Sequence, residues 1–213
     1  MISAVIPAYN EEGRVGVVVR ETLPYVDEVI VVDDGSTDRT REEATAAGAK
    51  VVSNRLGKGY IGAIRTGFQV ADGDILVTLD ADGEHDPRDI PTLVAPILSA
   101  RADLVLGRRP AVPRPSERVL SWLVRRRVPH IFDTGTGFRA LKADLACKLQ
   151  LSGRCTCGVF VLEAAYRGAR IFELPVRERP TLTLKRRRVM WEHVFQIFFV
   201  VRFVLRHRKR RAG

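Results

Sequence analysis

Val77-Thr78-Leu79-Asp80-Ala81-Asp82-Gly83-Glu84-His85-Asp86-Pro87 is the stretch from which the rest of the chain can be understood. The apolar run Ile75 to Leu79 predicts a buried strand, and the acidic and turn residues after it end that strand. Asp80, Asp82 and Glu84 stand at alternate positions, and alternate side chains of an extended chain point the same way. Converging carboxylates repel one another unless a cation lies among them, and oxygen ligands suit Mg²⁺ or Mn²⁺. The stretch therefore predicts a metal site with these three carboxylates as ligands.

Apolar runs and helical segments alternate along most of the chain. Strands that alternate with helices of about ten residues indicate an α/β fold with a mostly parallel sheet and helices on both faces. Ligands of such sheets bind beyond the carboxyl ends of the strands. Residues 7–11, 33–38 and 80–84 all follow predicted strands, so we expect these polar clusters to line one rim. This arrangement favours a metal site over the alternative, an acidic surface turn. Strands are predicted at 2–6, 26–32, 50–53, 74–79, 103–106 and 170–174, and helices at 13–23, 38–47, 60–71, 88–99, 119–127, 142–149 and 158–167.

Small polar residues predict the loops and the starts of helices. We expect Asn10 to cap the first helix and residues 36–38 to cap the second. The Gly-rich, polar stretch 133–139 predicts a loop.

The charge divides the chain into an acidic and a basic half. Residues 1–100 hold nine Lys and Arg against seventeen Asp and Glu, whereas residues 101–213 hold 26 basic and eight acidic residues. The first half suits a metal and the second suits an anion. Nucleic acid, an acidic membrane and a phosphorylated substrate are the anions to consider. No RNA-stacking motif accompanies the basic residues, so nucleic acid is not the expected partner.

Cysteine usage and the first residues both indicate an intracellular protein. Cys147, Cys155 and Cys157 are an odd number, and Cys155-x-Cys157 is too closely spaced for a zinc knuckle, so we expect reduced thiols. Met1 leads into a strand-like run without the basic and long apolar regions of a secretory signal. We expect the protein in the cytoplasm or on the cytoplasmic face of the cell membrane.

The final segment has a different pattern. Two basic clusters, Lys185–Arg188 and Arg206–Arg211, flank the 17 mostly apolar residues Val189–Leu205. This stretch is shorter than the roughly 20 residues that span a bilayer. It is interrupted by four polar residues, Glu192, His193, Gln196 and Arg202. At 100° per residue these four lie within about half of the helix circumference. The pattern predicts an amphipathic helix on an anionic membrane surface, with a core helix or a dimer contact as the alternative.

Six motifs resemble a known enzyme family when they are taken in order. The first four are similar to the family 2 glycosyltransferases of the GT-A fold, and the last two to the branch that makes dolichyl-phosphate or polyprenyl-phosphate mannose and glucose. The resemblance covers about residues 1–185 and implies a GT-A, Rossmann-like catalytic domain there. Residues 1–107 would be its nucleotide and metal half and 108–185 its acceptor half, followed by the basic tail 186–213. The motifs are Ile6–Glu12, Val32–Asp38, Gly57–Gly59, Asp80–Asp82, Gly137–Arg139 and Glu173–Pro175.

The resemblance also implies residue roles. Nucleotide-sugar contacts would come from all four early motifs, and phosphate contacts from Arg109 and a basic residue after the last strand, Lys185 or Arg179. The segment between Arg179 and Lys185 departs from the family, because it lacks small Gly or Ser residues. Candidate catalytic residues are Asp82, Arg109, Asp133 and Arg139. Candidate nucleotide-sugar contacts are Pro7, Tyr9, Glu11, Val32, Asp34, Lys58, Asp80, Ala81, Asp82, Arg109 and Lys185.

The chemistry of the acceptor decides what else the site needs. A divalent ion, Mg²⁺ or Mn²⁺, stabilises the charge on a departing nucleotide diphosphate. A sugar hydroxyl needs a carboxylate base, for which Asp133 is the best candidate unless it pairs with Arg139 or caps a turn. A lipid phosphate is already mostly dianionic at pH 7 and needs cations instead. The Arg-rich second half favours a lipid phosphate as the acceptor. The resemblance implies an inverting transfer to polyprenyl or dolichyl phosphate, with mannose from GDP-mannose as the expected sugar. UDP-glucose as donor, a sugar hydroxyl as acceptor, and a non-catalytic binding module are the alternatives.

Overall fold

The structure is a computed structural model that describes residues 1–111, 115–153, 155–179 and 186–206, with the backbone alone for residues 186–194. The described residues form a seven-stranded sheet with the strand order β3-β2-β1-β4-β6-β5-β7. All neighbouring strands are parallel except that β6 runs antiparallel to both β4 and β5. The strands are β1 (Ile2–Ala8), β2 (Glu28–Asp33), β3 (Lys50–Ser53), β4 (Ile75–Thr78), β5 (Leu104–Arg108), β6 (Arg139–Lys142) and β7 (Ile171–Pro175).

Helices cover both faces of this sheet, as predicted. Single turns of 3₁₀ helix lie at Leu23–Tyr25 and Pro87–Asp89. The α-helices are α1 (Val15–Thr22), α2 (Thr40–Ala46), α3 (Tyr60–Val70), α4 (Ile90–Leu98), α5 (Pro115–Arg125), α6 (Ala143–Ala146), α7 (Val159–Tyr166) and α8 (Arg186–Arg206).

Side chains that alternate along the strands build one apolar core on each face. Val5 of β1 points to the face covered by α3, α5, α7 and α8, whereas Ala4 and Ile6 point to the face covered by α1, α2 and α4. The central strands are thus buried on both sides, which explains why they are continuously apolar in sequence. Only the ends of the strands are left for polar chemistry.

Two local predictions are wrong. Residues 139–142 were expected to belong to a loop and a helix start, but they form β6, whose pairing partners come from β4 and β5, more than 30 residues away. A four-residue strand with charged ends has no strand pattern of its own, so only this pairing creates it. Asn10 does not cap α1. Its backbone is left-handed (φ 54°), and its side-chain oxygen accepts a hydrogen bond from Thr37 N instead.

The C-terminal helix α8 packs on the face formed by α5 and α7. Val200 and Gln196 are fully buried there, while Phe195, Phe198 and Leu205 are exposed. Part of the polar side predicted for this helix is therefore buried against the protein. Burial of the Gln196 amide is tolerated because it has hydrogen-bond partners there. No helix among the described residues is both long and apolar enough to cross a membrane.

Candidate active site

The loops after β1 and β2 are tied together at the rim of the sheet. Asn10 N donates to Ser36 Oγ (3.0 Å), and Thr37 N donates to Asn10 Oδ1 (2.9 Å). Next to these bonds, the Glu12 carboxylate accepts from the backbone and side chain of Arg39. These bonds bring together the first two polar clusters, as the sequence predicts.

Asp34 fastens a third loop to this rim. Both of its carboxylate oxygens accept from Gly59 N (2.9 and 2.8 Å), and Oδ1 also accepts from Asn54 Nδ2 (2.6 Å). The Asn54 amide also donates to the carbonyl of Gly57 (2.7 Å). Asp34 therefore places the exposed Lys58 at the rim, and Asn54 is a residue that sequence reasoning missed. An Asn directly after a short strand is the only signal that could have indicated it.

The other predicted nucleotide contacts differ in accessibility. Pro7 is half-buried, and Tyr9 is 50% exposed at the mouth of the rim. Glu11 is buried and forms an ion pair with Arg14. The Val32 side chain is fully buried in the core beneath α3, because a residue in the middle of a parallel sheet has both faces covered. The predicted contact of Val32 with the nucleotide stays a prediction.

The acidic stretch after β4 turns sharply instead of continuing as an extended chain. β4 ends at Thr78, and Gly83 adopts φ 83° within a turn. Glu84 N donates to Asp82 Oδ1 (3.1 Å), and Asp80 N donates to His85 Nδ1 (3.1 Å). Burial lowers the pKa of His85 to about 4, so its ring is neutral at pH 7. His85 is thus an acceptor that holds the turn, stacked on Phe138 at 5.1 Å.

The turn changes how the three carboxylates can hold a metal. The expectation that Asp80, Asp82 and Glu84 converge by extended alternation is wrong, because residues 81–83 are a turn. Within the described part of the chain, no three or more Asp, Glu, His or Cys side chains are arranged to hold a metal ion. Mg²⁺ in phosphate-transfer sites is typically held by one or two carboxylates and completed by substrate phosphates. Asp80 and Asp82 suit that arrangement, in which the protein alone is not a complete cage.

The electrostatics of the two aspartates agree with a cation site. Burial raises the pKa of Asp82 to about 6, with further contributions from the charges of Asp80 and Glu84. Burial also raises the pKa of Asp80, and its Oδ1 atom is buried without a hydrogen-bond partner in the described structure. Carboxylates kept this close and partly desolvated gain from a divalent cation between them. Such an ion would supply Lewis-acid stabilisation of the departing diphosphate.

Two further groups enclose Asp80. Gly137, shortly before β6, lies so close to Asp80 that a β-carbon at this position would clash with the Asp80 carboxylate. Tyr60 starts α3 with a buried hydroxyl, whose pKa is raised well above its usual value by burial and by the charge of Asp80. Sequence reasoning missed Tyr60, for which the adjoining Gly57–Gly59 motif was the available signal.

Arg109 and Asp133 lie together in a buried ion pair. Arg109 donates from Nε to Asp133 Oδ2 (2.7 Å) and from Nη2 to Asp133 Oδ1 (2.8 Å) and Glu117 Oε2 (2.8 Å). Asp133 is fully buried, and its bonds hold the pKa of Arg109 above the usual value despite burial. Asp133 therefore pairs with Arg109 and not with Arg139. Its carboxylate is directed at this guanidinium, and its role as a catalytic base stays a prediction.

The Glu173-Leu174-Pro175 motif supports that pair. Glu173 accepts from the backbone N–H groups of Phe132 (2.9 Å) and Asp133 (2.7 Å), and so fixes the loop that carries Asp133. In the sequence, Glu173 is recognisable only as part of a motif that resembles the family. The structure gives its carboxylate a specific contact.

Among the described basic residues after β7, Arg179 is bound by carboxylates, and its predicted contact with phosphate stays a prediction. Arg179 donates to Glu21 (2.6 Å) and Asp86 (3.2 Å), so its guanidinium is directed toward α1. Its backbone N–H donates to Glu84 O (2.8 Å), which places this segment against the acidic turn that follows β4. Burial raises the pKa of the neighbouring Glu178. Lys185 lies outside the described residues.

Arg139 is completely buried at the start of β6. Its Nη2 donates to Thr156 Oγ1 (3.1 Å), and its guanidinium lies 4.6 Å from the ring centre of Phe160. Its positive charge opposes the burial-driven rise in the pKa of Asp80. The side chain is closed off from solvent in this structure, and its catalytic role stays a prediction.

Known proteins are similar to this chain in sequence and in structure. Residues 3–149 match the family described as Glycosyl transferase family 2. An uncharacterized glycosyltransferase of Mycobacterium tuberculosis is 35% identical over 191 residues, which cover 84% of this chain and 85% of that protein. The undecaprenyl-phosphate 4-deoxy-4-formamido-L-arabinose transferase of Pectobacterium carotovorum is 41% identical over 107 residues. That match covers 44% of this chain, and the chain spans only 32% of that protein.

A solved structure extends the match to nearly the whole chain. Glucosyl-3-phosphoglycerate synthase of Mycobacterium tuberculosis, in complex with phosphoglyceric acid, superposes with a TM-score of 0.83 and 26% identity, covering 95% of this chain and 79% of that chain. The same enzyme has been solved with Mn²⁺, UDP-glucose and glycerol 3-phosphate (TM-score 0.76, 27% identity, 94% and 78% covered). The expected GT-A fold is thereby confirmed, and the Mn²⁺ bound by this relative agrees with the expected divalent metal. The match over residues 3–149 and the similarity to the mycobacterial glycosyltransferase establish that the chain belongs to glycosyl transferase family 2 and is a glycosyltransferase.

Proposed function

We propose that the protein transfers a hexose from a nucleotide sugar to the phosphate of a polyprenyl or dolichyl lipid at a membrane surface. The observation that carries this proposal is the state of Asp133. Both of its oxygens are bound by Arg109, and the side chain is fully buried. A carboxylate held by Arg109 in this way is poorly suited to act as a base. The site therefore fits an acceptor that needs no base, such as a phosphate.

The chemistry of a phosphate acceptor follows from its charge. A phosphate monoester has a second pKa near 6 and is mostly dianionic at pH 7. It can attack the anomeric carbon in line, with inversion, while the bond to the nucleotide diphosphate breaks. Asp80 and Asp82 would hold the divalent ion, which stabilises the charge of the departing diphosphate. The protein then has to position two anions rather than to move a proton.

The relatives support a lipid acceptor. The arabinose transferase that is 41% identical over 107 residues is named for an undecaprenyl-phosphate acceptor. The matched segment is a minor part of that protein, so the acceptor is carried to this chain as a proposal and not as a property of the family.

Two donors have separate support. The resemblance of the motifs to polyprenyl-phosphate mannosyltransferases favours GDP-mannose, which is the donor we propose first. UDP-glucose is the second candidate, because the structural relative was solved with UDP-glucose and Mn²⁺.

An exposed surface on α5 and α8 suits contact with an anionic membrane. We call it the aromatic–arginine surface, and it consists of Trp122, Arg126, Phe195, Phe198 and Leu205. The four apolar side chains are 48–61% exposed, and the Arg126 guanidinium lies 4.4 Å from the Trp122 ring centre. Large apolar side chains beside arginines bind the interface of anionic bilayers. We propose a peripheral location on the cytoplasmic face of the cell membrane.

The deciding experiment measures transfer of labelled sugar from GDP-mannose and from UDP-glucose to a short polyprenyl phosphate, with Mg²⁺, with Mn²⁺ and with EDTA. Metal-dependent labelling of the lipid by one donor is the expected result. Hydrolysis or binding of a donor without labelled lipid would overturn the proposed acceptor. Phosphoglyceric acid and simple sugars, tested in parallel, would then distinguish a soluble acceptor, as the relative named for phosphoglycerate indicates.

A further inference from the structure

A buried polar side chain joins the C-terminal helix to a loop near the active site. Gln196 of α8 is fully buried, and its Oε1 atom accepts from Cys155 N (3.3 Å) while its Nε2 atom donates to Cys157 O (3.5 Å). These two bonds hold the loop on both sides of Thr156. The position of Thr156 therefore depends on the docking of α8.

Thr156 in turn holds a buried arginine. Its hydroxyl accepts from Arg139 Nη2 (3.1 Å), and the Phe160 ring of α7 lies against the guanidinium at 4.6 Å. Thr156 is 4% exposed and Arg139 is fully buried. We call these contacts the Gln196–Thr156–Arg139 network.

The rest of the guanidinium lacks partners. Arg139 Nε and Nη1 are buried and have no hydrogen-bond partner in the described structure, and the same holds for Asp80 Oδ1. Arg139 is paired in register with Thr78, two residues before Asp80. An unpartnered buried donor is costly, and that cost is larger for a charged group. Arg139 would gain by forming an ion pair with Asp80, and its bond to Thr156 and its stacking on Phe160 hold it elsewhere.

We propose that Gln196 and Thr156 are positioning residues that hold Arg139 away from Asp80 and so leave the Asp80 carboxylate available to the divalent metal. Without this restraint, the guanidinium and the metal ion compete for the same carboxylate. The C-terminal helix then has a role in metal affinity that is separate from any contact with a membrane.

Binding of Mn²⁺ alone tests this proposal without a donor, an acceptor or turnover. Electron paramagnetic resonance titration gives the Kd for Mn²⁺ of the full chain. Thr156→Val removes the hydroxyl at nearly constant shape, and Gln196→Leu removes both loop bonds. We expect each to raise the Kd about tenfold, which corresponds to about 1.4 kcal/mol. Thr156→Ser should restore the wild-type Kd, and Val201→Ala, at an exposed position of α8, should leave it unchanged.

A double-variant test separates competition by Arg139 from general loosening. In an Arg139→Met background there is no guanidinium to release, so Thr156→Val should have no further effect on the Kd. The same loss in both backgrounds would overturn the proposal, as would an unchanged Kd in Thr156→Val alone. Thermal melting checks that each variant is folded. If Gln196→Leu fails to fold, the Thr156 and Arg139 variants still decide the question, because neither alters α8.

Discussion

Gly137 lies against the carboxylate of Asp80, so closely that a β-carbon at position 137 would come within 2.8 Å of Asp80 Cγ and Oδ1. The two residues are 57 positions apart in sequence and meet because β6 inserts beside β4. The segment that leads into β6 supplies no predicted metal ligand, but it limits the space around the Asp80 carboxylate.

Gly137→Ala should therefore displace the Asp80 carboxylate while the fold persists. We expect metal-dependent binding of nucleoside diphosphate to weaken by about tenfold or more, since small misplacements in such sites are costly. Calorimetric titration with UDP and GDP in the presence of Mn²⁺ measures this. Gly16→Ala is the control, because a β-carbon there meets no atom closer than 3.4 Å. Equal binding by both variants would contradict the assigned contact.

Asp82→Asn should abolish metal-dependent sugar transfer without unfolding the protein. The side chain is half-buried, and an asparagine oxygen can keep the hydrogen bond that Asp82 Oδ1 accepts from Glu84 N. The transfer assay, together with circular dichroism, checks the result. Asp72→Asn, at an exposed position next to Lys50, should retain full activity. Near-normal turnover of Asp82→Asn would refute its role at the metal.

Asp133→Asn should affect the free energy of unfolding more than the rate of sugar transfer. The change weakens two of the bonds that compensate the buried Arg109 charge, so we expect the free energy of unfolding to fall by roughly 1–3 kcal/mol. Urea unfolding measures that loss. Transfer to polyprenyl phosphate, assayed well below the unfolding midpoint, should persist. Complete loss of turnover in a folded variant would instead indicate a catalytic base and a hydroxyl acceptor.

The Asp86 carboxyl should make the free energy of unfolding depend on pH in acidic solution. Hydrogen bonds from Arg88, followed by the Arg179 charge, lower the pKa of the buried Asp86 from 3.8 to about 2. A depressed carboxylate pKa stabilises the folded state above the unfolded pKa, and the contribution is lost as pH falls from about 4 to about 2. The expected contribution at pH 7 is about 1–2 kcal/mol, after a discount for the exposure of Arg88.

Asp86→Asn should accordingly lower the free energy of unfolding at pH 7 and leave it nearly unchanged at pH 2. Urea unfolding of both proteins at several pH values gives the difference. A difference that is the same at pH 7 and pH 2 would show that the carboxylate charge is not responsible.

The aromatic–arginine surface should bind anionic vesicles. Trp122→Ala with Phe198→Ser should reduce pelleting with vesicles that contain phosphatidylglycerol, because both side chains are exposed on that surface. Leu98→Ser is the control, since Leu98 is 67% exposed on α4 at the opposite face of the sheet. Deleting α8 would be a poorer test, because Gln196 and Val200 are fully buried. Equal pelleting of all three proteins would refute the proposed surface.

The sequence by itself determined the fold class, the enzyme family and the aspartates after β4. Apolar periodicity specifies each of the long parallel strands locally, and parallel strands necessarily deliver their carboxyl-end residues to one rim. Asp34 and Asp80 were found in this way, because each follows the end of a predicted strand.

Only the tertiary structure decided which charged groups pair and which strand lies beside β4. Arg109 could have met Asp133, Glu117 or a phosphate, and Arg139 was expected in a loop rather than buried at the start of β6. Likewise, nothing in the helical pattern of α8 revealed that Gln196 faces inward. Ion pairs and buried amides are chosen by distance and desolvation in three dimensions, and these are set by contacts between segments far apart in sequence.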